Sequence, residues 1–314
     1  MEWETILAKA GVPVTVMRTR DEWLALEPML TSGVFEEMTN GESRLTVPGR
    51  IADVSGPGGA LGESDLHEPE ATDVSQVDKL LGTYVSNTLQ DKRSPLKKGD
   101  LLRGLKILDL SNVVAGPTSS YTLAQYGANV IKADPPTYNL SLLIKSMLDA
   151  NQGKRSILTD VKVAKGREVF ERLVAWADVV VHNSLDEVAE RLGATHAQLQ
   201  AVNPDVVSCQ LSAFGGTRRG GWEDRMGYDP IAQASSGLMV QFGTLAEPHW
   251  HGMTSCGDTM GGLGLAFSAL LGAYQQRKTG YAGEGRTSLA RMINFIQLPC
   301  MIAENGRSEW GEAH

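Results

Sequence analysis

Residues 104–134 read GLKILDLSNVVAGPTSSYTLAQYGANVIKAD, and they give the most direct indication of the fold. The run LKILDL is rich in leucine and isoleucine, which predicts a buried strand, and NVIKAD predicts a second strand. Between them lies a predicted helix, PTSSYTLAQYG, with Pro117 in its first turn, where proline is favoured. A strand, a helix and a strand in this order predict the first unit of a parallel sheet.

The same alternation continues beyond this stretch. The predicted elements are the strand KRSILTD, the helix VAKGREVFERLVAWA, the strand DVVVH, two helices over 185–202 and the strand DVVSCQLSAFG. We therefore predict an α/β fold, with a Rossmann-like, doubly wound parallel sheet covered by helices on both faces. Two more helices are expected, one from Asp258 to about Lys278 and one from Thr287 to Ala303.

Ligands of such sheets bind beyond the carboxyl ends of the strands, which lead here into SNVVAGP, HNSLDE and SAFGGTRRGGWEDRMGYD. A dinucleotide site would need the pattern G-x-G-x-x-G after the first strand, but the loop SNVVAGPTSS contains a single glycine. This argues against a nicotinamide-dependent oxidoreductase, although Asp134 stands where a ribose-binding acid would stand.

Composition narrows the class of protein. The chain has 314 residues, of which 42% are hydrophobic and 21% charged, as in a globular protein. A formal net charge of −8, with no Lys/Arg run longer than a pair, argues against nucleic acid as a partner. The three cysteines form no C-x-x-C pair, so neither a zinc cage nor a disulfide framework is indicated. The acidic N-terminus and the short apolar runs argue against a signal peptide and a membrane span, so we expect a cytoplasmic protein.

Seven motifs over about residues 104–297 resemble, in order and spacing, those of the family III CoA-transferases, the CaiB/BaiF family. They are GLKILDLSNVVAGPTSSYTLAQYGANVIKAD, NQGKRSILTDVK, ADVVVHN, AERLG, NPDVVSCQLSAFG, GYDPIAQASSGLM, and GDTMGG followed by RKTGYAGEGRTSLA. The resemblance implies an enzyme that transfers coenzyme A from an acyl-CoA donor to a free carboxylic acid. It implies acyl-CoA as a substrate, no metal, and interlocked dimers.

Residues 1–55 are similar to a different part of the same family, the part that follows the small domain near the C-terminus of ordinary members. We therefore expect 1–55 to be the end of a preceding CoA-transferase copy, 56–103 a linker with a helix near 77–89, and 104–314 a large domain without its small domain. This order resembles tandem-fused members, among them a type that acts on dimethylsulfoniopropionate, a cationic carboxylic acid. The expected assembly is an interlocked homodimer or an intramolecular tandem pair.

Asp258 stands at the start of the long apolar helix, in the motif GDTMGG. One interpretation is structural, since an aspartate at this place can cap a free backbone N–H group. The family resemblance implies instead that Asp258 is the nucleophile, which forms a mixed anhydride and then an aspartyl-CoA thioester. We expect the helix N-terminus to keep the carboxylate ionised, and Gly257, Gly261 and Gly262 to give the thioester room at the backbone.

The resemblance also implies a coenzyme A site. Its matching positions are Ala115, Asp160, Val161, Lys162, Asn183, Arg191, and Arg225 to Tyr228. Lys162 and Arg191 are expected to bind phosphates, because charge-assisted hydrogen bonds to phosphate are strong, although each is equally consistent with a solvated helix-end charge. Two stretches depart from the family, ADPPT after the second strand and HNSLDE in place of the usual ENFRPG, so the contacts at the adenine end stay open.

Two other functions remain as alternatives. Racemases of the same fold place a histidine beside the acid of the G-x-D motif, where this chain has Tyr228, and a phenol is a poor base at pH 7. Transfer is therefore favoured over isomerisation. The chain could also be a non-catalytic assembly half of a tandem enzyme, against which Asp258 argues.

Two further clusters are candidates for binding. His249 and His251 could hold a metal, but no third ligand with suitable spacing is evident. Lining of a substrate pocket is favoured over a metal site, and placement at the surface is favoured over both. Trp222, followed by Glu223 and Asp224, could face a cationic substrate. The glycines of the surrounding GGTRRGGWED permit either a lid or a long loop.

Overall fold

The structure of the protein is a computed structural model, which describes residues 2–40, 43–59, 101–136, 150–251 and 255–308. Most of the expected linker, and the helix predicted within it, lie outside the described residues. The helices are α1 (Glu2–Lys9), α2 (Arg20–Leu24), α3 (Glu27–Ser32), α4 (Ala115–Gln125), α5 (Ala164–Trp176), α6 (Asp186–Leu192), α7 (His196–Val202), α8 (Asp229–Ser235), α9 (Leu238–Phe242), α10 (Cys256–Thr279) and α11 (Leu289–Ile296). The strands are β1 (Phe35–Asn40), β2 (Ser43–Pro48), β3 (Ala52–Val54), β4 (Lys106–Asp109), β5 (Asn129–Asp134), β6 (Arg155–Leu158), β7 (Val179–His182), β8 (Val207–Ser212), β9 (Glu284–Ser288), β10 (Ala303–Glu304) and β11 (Arg307–Ser308).

Seven strands form the central sheet in the order β3-β9-β8-β7-β4-β5-β6. All neighbours are parallel except the antiparallel pair of β3 and β9. Because β4 lies between β5 and β7, the chain winds outward from it in both directions, and the predicted doubly wound sheet is confirmed. The switch point between β4 and β7 is where such sheets open a crevice.

Helices cover both faces of this sheet. On one face Ile107 and Val181 pack in the core that includes side chains of α4 and α10. On the other face Leu108 and Val180 pack with side chains of α5 and α7. Successive strand residues point to opposite faces, so a strand buried on both faces needs the continuous apolar runs that the sequence contains.

The N-terminal segment packs on the sheet and its helices. Its strand β3 is the edge strand of the central sheet, paired with β9. Trp23 of α2 is fully buried and donates its indole N–H to Asn294 of α11 at 2.8 Å. Asp53 forms a buried ion pair with Arg291, 2.7 Å from Nη1 to the carboxylate. Strands β1 and β2 form a second sheet with β10 and β11, so the two ends of the described chain share one folded unit.

The helix predicted over Thr287 to Ala303 is wrong at both ends. Thr287 belongs to β9, and Ser288 caps α11 by accepting the backbone N–H of Arg291 at 3.2 Å. The helix stops at Ile296, a short 3₁₀ turn follows, and Ala303 lies in β10. The strand was missed because its sequence, EGRTS, has no apolar run: β9 is recognised only by its pairing with β8 and β3.

None of the helices formed by the described residues is long and apolar enough to cross a membrane.

Candidate active site

The loops that follow β4 and β7 meet at the switch point. Asn183 Oδ1 accepts the backbone N–H of Asn112 at 2.8 Å, and Asn183 Nδ2 donates to the Asn112 carbonyl at 2.8 Å. A Cβ on Gly116 would lie 2.3 Å from Ser111 Cβ, so glycine is needed for α4 to begin this close to the loop. Asn183, predicted as a coenzyme A contact, therefore also holds the two loops together.

A cleft of about 220 Å³ opens over these loops. It brings together residues that are far apart in the chain, from the loops after β4 and β7, the turn before α8, and α10. Predicted site residues in its lining are Ala115, Asn183, Arg225, Tyr228 and Asp258.

Asp258 is the third residue of α10, and it does not cap the helix. Asp229, at the start of α8, carries out that role: its Oδ1 accepts the backbone N–H groups of Gly257 at 2.6 Å and of Asp258 at 3.3 Å. Gln233 and Trp250 donate to Oδ2 of the same carboxylate at 2.7 and 2.9 Å. The capping interpretation of Asp258 is therefore wrong, and its side chain lines the cleft instead.

Burial, and after it the negative charge of Asp229, raise the pKa of Asp258 from 3.8 to about 7. We expected the helix N-terminus to keep this carboxylate ionised, but with a pKa of about 7 it is largely ionised only above neutral pH, because burial and the like charge of Asp229 favour the neutral acid. A carboxylate with a raised pKa is more basic than an ordinary aspartate, and perturbed groups of this kind cluster in active sites.

The glycines of α10 serve packing. A Cβ on Gly261 would lie 2.6 Å from Leu289, and one on Gly262 would lie 2.6 Å from Thr118 of α4. The space beside them is filled by the protein itself, so the expectation that they leave room for a thioester is wrong. They bring α10 close to α4 and thereby place Asp258 beside Ala115 in the cleft.

A buried charge network, which sequence reasoning missed, supports the loop after β4. Asp109 accepts the backbone N–H of Ser111 at 2.8 Å and forms an ion pair with Lys154 at 2.9 Å. Burial alone would raise the pKa of Asp109, but Lys132, Lys154 and neighbouring hydroxyls lower it to about 2. Val113, in the same loop, has φ of 67°, which is costly for a β-branched residue. The network thus fixes a strained part of the cleft wall.

A second cavity, of about 210 Å³, adjoins the cleft, and Asn112 lines both. The predicted residues Asp160, Val161 and Lys162 line it, together with the backbone and side chains of 133–136, the ADPP segment. The backbone N–H of Lys162 donates to Asp160 Oδ1 at 3.0 Å. All the residues implied for coenzyme A except Arg191 therefore line one of two adjoining cavities.

Arg191 lines neither of these two cavities. Its side chain is 67% exposed and pairs with Glu187, one turn earlier on α6, at 3.7 Å. In this structure Arg191 is therefore a solvated charge at the end of a helix, which was the alternative to a phosphate partner. The next residue, Leu192, lines the second cavity.

Trp222 does not face a substrate. It is 5% exposed, and the guanidinium groups of Arg225 and Arg18 lie 3.8 and 5.2 Å from its ring centroid. The cation site predicted at Trp222, Glu223 and Asp224 is wrong, because the arginines of the protein cover the ring.

His249 and His251 line neither cavity. His251 packs on Phe242, with ring centroids 4.3 Å apart. Within the described ranges no group of three or more His, Cys, Asp or Glu side chains could hold a metal ion.

The loop 215–221 is docked on the N-terminal segment. The backbone N–H of Arg218 donates to the Ser32 carbonyl at 2.7 Å, and Arg219 pairs with Asp186 of α6 at 2.8 Å. A Cβ on Gly216 would lie 2.1 Å from the Ser32 carbonyl oxygen. The glycines of this loop therefore permit close docking at the side of the cleft, and the interpretation as a long loop fits better than that of a lid.

A doubly wound sheet with a half-buried carboxylate on a glycine-rich helix at its switch point is the arrangement that the seven motifs imply for a CoA-transferase. Residues 102–311 match the family model described as CoA-transferase family III. The chain belongs to that family.

Relatives and solved structures agree with this assignment. The CoA-transferase/lyase DddD of Marinomonas sp. (strain MWYL1) is 34% identical over 99% of this chain and 38% of its own length. The formyl-CoA:oxalate CoA-transferase of Rhodopseudomonas palustris (strain BisA53) is 34% identical over 57% of this chain and 44% of its own. The chain spans less than half the length of these relatives. A CaiB/BaiF family protein from Brucella suis superimposes with a TM-score of 0.56 at 28% identity, covering 63% of this chain and 56% of that one. Rv3272 from Mycobacterium tuberculosis also superimposes with a TM-score of 0.56, at 27% identity, and the match covers 62% of this chain and 56% of that one.

Proposed function

We propose that this chain supplies the nucleophile of an enzyme that transfers coenzyme A between an acyl-CoA donor and a free carboxylic acid. The observation that carries the proposal is the pairing of two acids. Asp229 satisfies the start of α10, and the carboxylate of Asp258, with a pKa raised to about 7, lines the cleft at the switch point.

Ionised Asp258 attacks the carbonyl carbon of the thioester, and the C–S bond breaks to give a mixed anhydride and the CoA thiolate. The thiolate then attacks the Asp258 carbonyl of the anhydride, which releases the donor acid as a carboxylate and leaves an aspartyl-CoA thioester. The acceptor carboxylate reverses both steps and leaves as its CoA thioester. No proton is gained or lost overall: the Asp258 carboxylate is the nucleophile of the first step, and its acyl carbonyl is the electrophile that the thiolate and then the acceptor carboxylate attack.

The two adjoining cavities support a path for coenzyme A. In this path the thioester end lies in the cleft beside Asp258, and the nucleotide end lies in the second cavity, with Asn112 between them. Lys162 is the cationic side chain of the second cavity and the proposed phosphate partner. Arg191 remains a phosphate partner on the resemblance alone.

We also propose that the chain works as one half of a pair, either an interlocked homodimer or an intramolecular tandem. Leu263, Phe267 and Tyr274 stand on one stripe of α10 and are 41%, 45% and 65% exposed, and contiguous exposed apolar side chains are typical of a protein contact. In this proposal residues 1–55 end a preceding copy, and 56–103 link the copies. The match to DddD over 99% of this chain and 38% of that protein supports this order.

The alternatives have less support. An isomerase needs a second group able to exchange a proton opposite Asp258. The described lining of the cleft offers the phenol of Tyr228 and no histidine. A purely structural half would have no need for a half-buried acid with a perturbed pKa in a cleft.

Steady-state kinetics of the full-length protein test the proposal. With acetyl-CoA or succinyl-CoA and a panel of acids that includes dimethylsulfoniopropionate, we expect ping-pong kinetics. Asp258→Ala should abolish exchange, and Asp205→Asn, at an exposed turn, should leave it unchanged. In deuterated water a 2-methylacyl-CoA should gain no deuterium next to the thioester. Deuterium uptake without CoA exchange would establish the isomerase instead.

A further inference from the structure

Glu4, in the first helix of the chain, is buried and bound to arginine. Its carboxylate accepts hydrogen bonds from both Nη atoms of Arg18, at 2.9 and 2.6 Å, and from the backbone N–H of Val16 at 3.1 Å. Burial alone would raise the pKa of Glu4, but these bonds lower it. Nη1 of Arg225, which lies more than two hundred residues later in the chain, is 3.7 Å from the same carboxylate.

Arg225 is held on its other side by an aromatic ring. Its guanidinium carbon lies 3.8 Å from the centroid of Trp222, within the range of a cation–π interaction. Arg225 Nη1 is buried and has no hydrogen-bond partner in the described part of the chain. The side chain is 16% exposed, and the residue lines the cleft of Asp258.

The contacts of this cluster leave one positive charge in excess. One carboxylate, that of Glu4, faces two guanidinium groups, and Arg18 occupies both of its oxygens. The excess charge therefore belongs to Arg225, at the wall of the cleft. A partly desolvated guanidinium in this position binds an entering anionic group strongly, because charge-assisted hydrogen bonds gain strength away from water.

We propose that Glu4 is a positioning residue of the transferase site, which acts through Arg225 to hold a positive charge against an anionic group of the substrate. The anionic group is a phosphate of coenzyme A or the carboxylate of the acid. This inference rests on the proposed function. It makes the N-terminal segment a part of the active site.

Four variants of the full-length protein test it: Glu4→Gln, Arg225→Gln, the double variant, and Glu37→Gln. Glu37 lies in the same segment and pairs with Arg44 at the surface, so its variant is the matched control. We expect Glu4→Gln and Arg225→Gln each to raise one KM about tenfold with a smaller change in kcat, and Glu37→Gln to change neither. A rise in the KM for acyl-CoA identifies a phosphate, and a rise in the KM for the acid identifies a carboxylate.

The double variant separates positioning from a merely structural role. If Glu4 acts through Arg225, Glu4→Gln raises the KM by less than about twofold in the Arg225→Gln background. Multiplicative effects, or a wild-type KM in Glu4→Gln, would overturn the inference. Should Glu4→Gln fail to fold, Glu4→Asp replaces it, because the shorter side chain keeps the negative charge but moves it away from Arg225. A wild-type KM in Glu4→Asp would likewise overturn the inference.

A binding measurement keeps the inference apart from the proposed function. If the wild-type protein transfers no CoA, the proposed function fails. Calorimetric titrations with free coenzyme A and with acetate, succinate and dimethylsulfoniopropionate then decide the role of Glu4. Weaker binding of one of these anions by both single variants supports it, and equal affinity in the wild type and Arg225→Gln contradicts it.

Discussion

The carboxylate of Asp229 accepts the backbone N–H of Asp258, 29 residues further along the chain, at 3.3 Å. One acid thus stabilises the helix end from which the other projects. The same proximity places a second negative charge near Asp258 and contributes to its raised pKa. Asp229 therefore affects both the position and the basicity of the proposed nucleophile.

Asp229→Asn should separate these effects. Removal of the charge lowers the pKa of Asp258, so the acid limb of the kcat/KM profile should move from near pH 7 to a lower pH, while burial keeps it above pH 3.8. Both oxygens of Asp229 accept N–H groups, so the NH2 group of the new asparagine must face another donor and one hydrogen bond is lost. The start of α10 then shifts, and kcat at pH 8 should fall roughly tenfold to a hundredfold. The pH profile of CoA exchange is the measurement, with Asp205→Asn as the control. An unmoved acid limb would show that Asp229 does not govern the titration.

Asp258 should make stability depend on pH. Its pKa is about 7 in the folded protein against 3.8 ordinarily, so the folded state prefers the neutral acid, and stability is lost as the pH rises from about 4 through 7. Asp258→Asn should then raise the free energy of unfolding at pH 8, by at most about 4 kcal/mol, with the gain shrinking towards pH 4. Urea unfolding at both pH values measures the difference. A gain that is independent of pH would contradict the assigned pKa.

The buried pair of Asp109 and Lys154 supports the cleft wall. Lys154→Met removes a cation from a site where both side chains are almost fully buried, at 0% and 1% exposure, and should cost about 3 to 5 kcal/mol of the free energy of unfolding. The control Arg44→Met breaks the exposed pair with Glu37 and should cost less than about 1 kcal/mol. Urea titration compares the two variants. Equal losses of unfolding free energy in the two variants would show that burial does not make the Asp109–Lys154 pair more important for stability.

The N-terminal segment should unfold together with the sheet. Trp23 is fully buried between the segment and the large domain, so Trp23→Ala should cost about 3 to 5 kcal/mol in a single transition. Trp3, in the same segment, is 72% exposed, and Trp3→Ala should change stability by less than about 0.5 kcal/mol. Circular dichroism and fluorescence should give coincident curves. A separate early transition in Trp23→Ala would show that the segment is an independent domain.

The central sheet could be predicted from the sequence because its strands are buried on both faces. The strand VVVH begins with a continuous apolar run, and Pro117 marks the first turn of the first helix of the sheet domain. Strand β9 could not be predicted, since its residues are polar and its pairing partners lie elsewhere in the chain.

The site could be predicted in part. Asp258 and the lining residues Ala115, Asn183 and Tyr228 came from motifs, which depend on local sequence. The cap by Asp229 could not be predicted, because it joins residues far apart in the chain. The aromatic site at Trp222 was wrong for the same reason: one of the two arginines that cover the ring is Arg18, which lies about two hundred residues earlier in the chain.

The central claim is that Asp258 carries coenzyme A covalently. Mass spectrometry of the full-length protein, after brief exposure to an acyl-CoA without an acceptor acid, tests it most directly. We expect an adduct with the mass of coenzyme A less one water on the peptide that contains Asp258, present in Asp205→Asn and absent from Asp258→Ala. An adduct on another residue, or CoA exchange that proceeds in Asp258→Ala, would contradict the account.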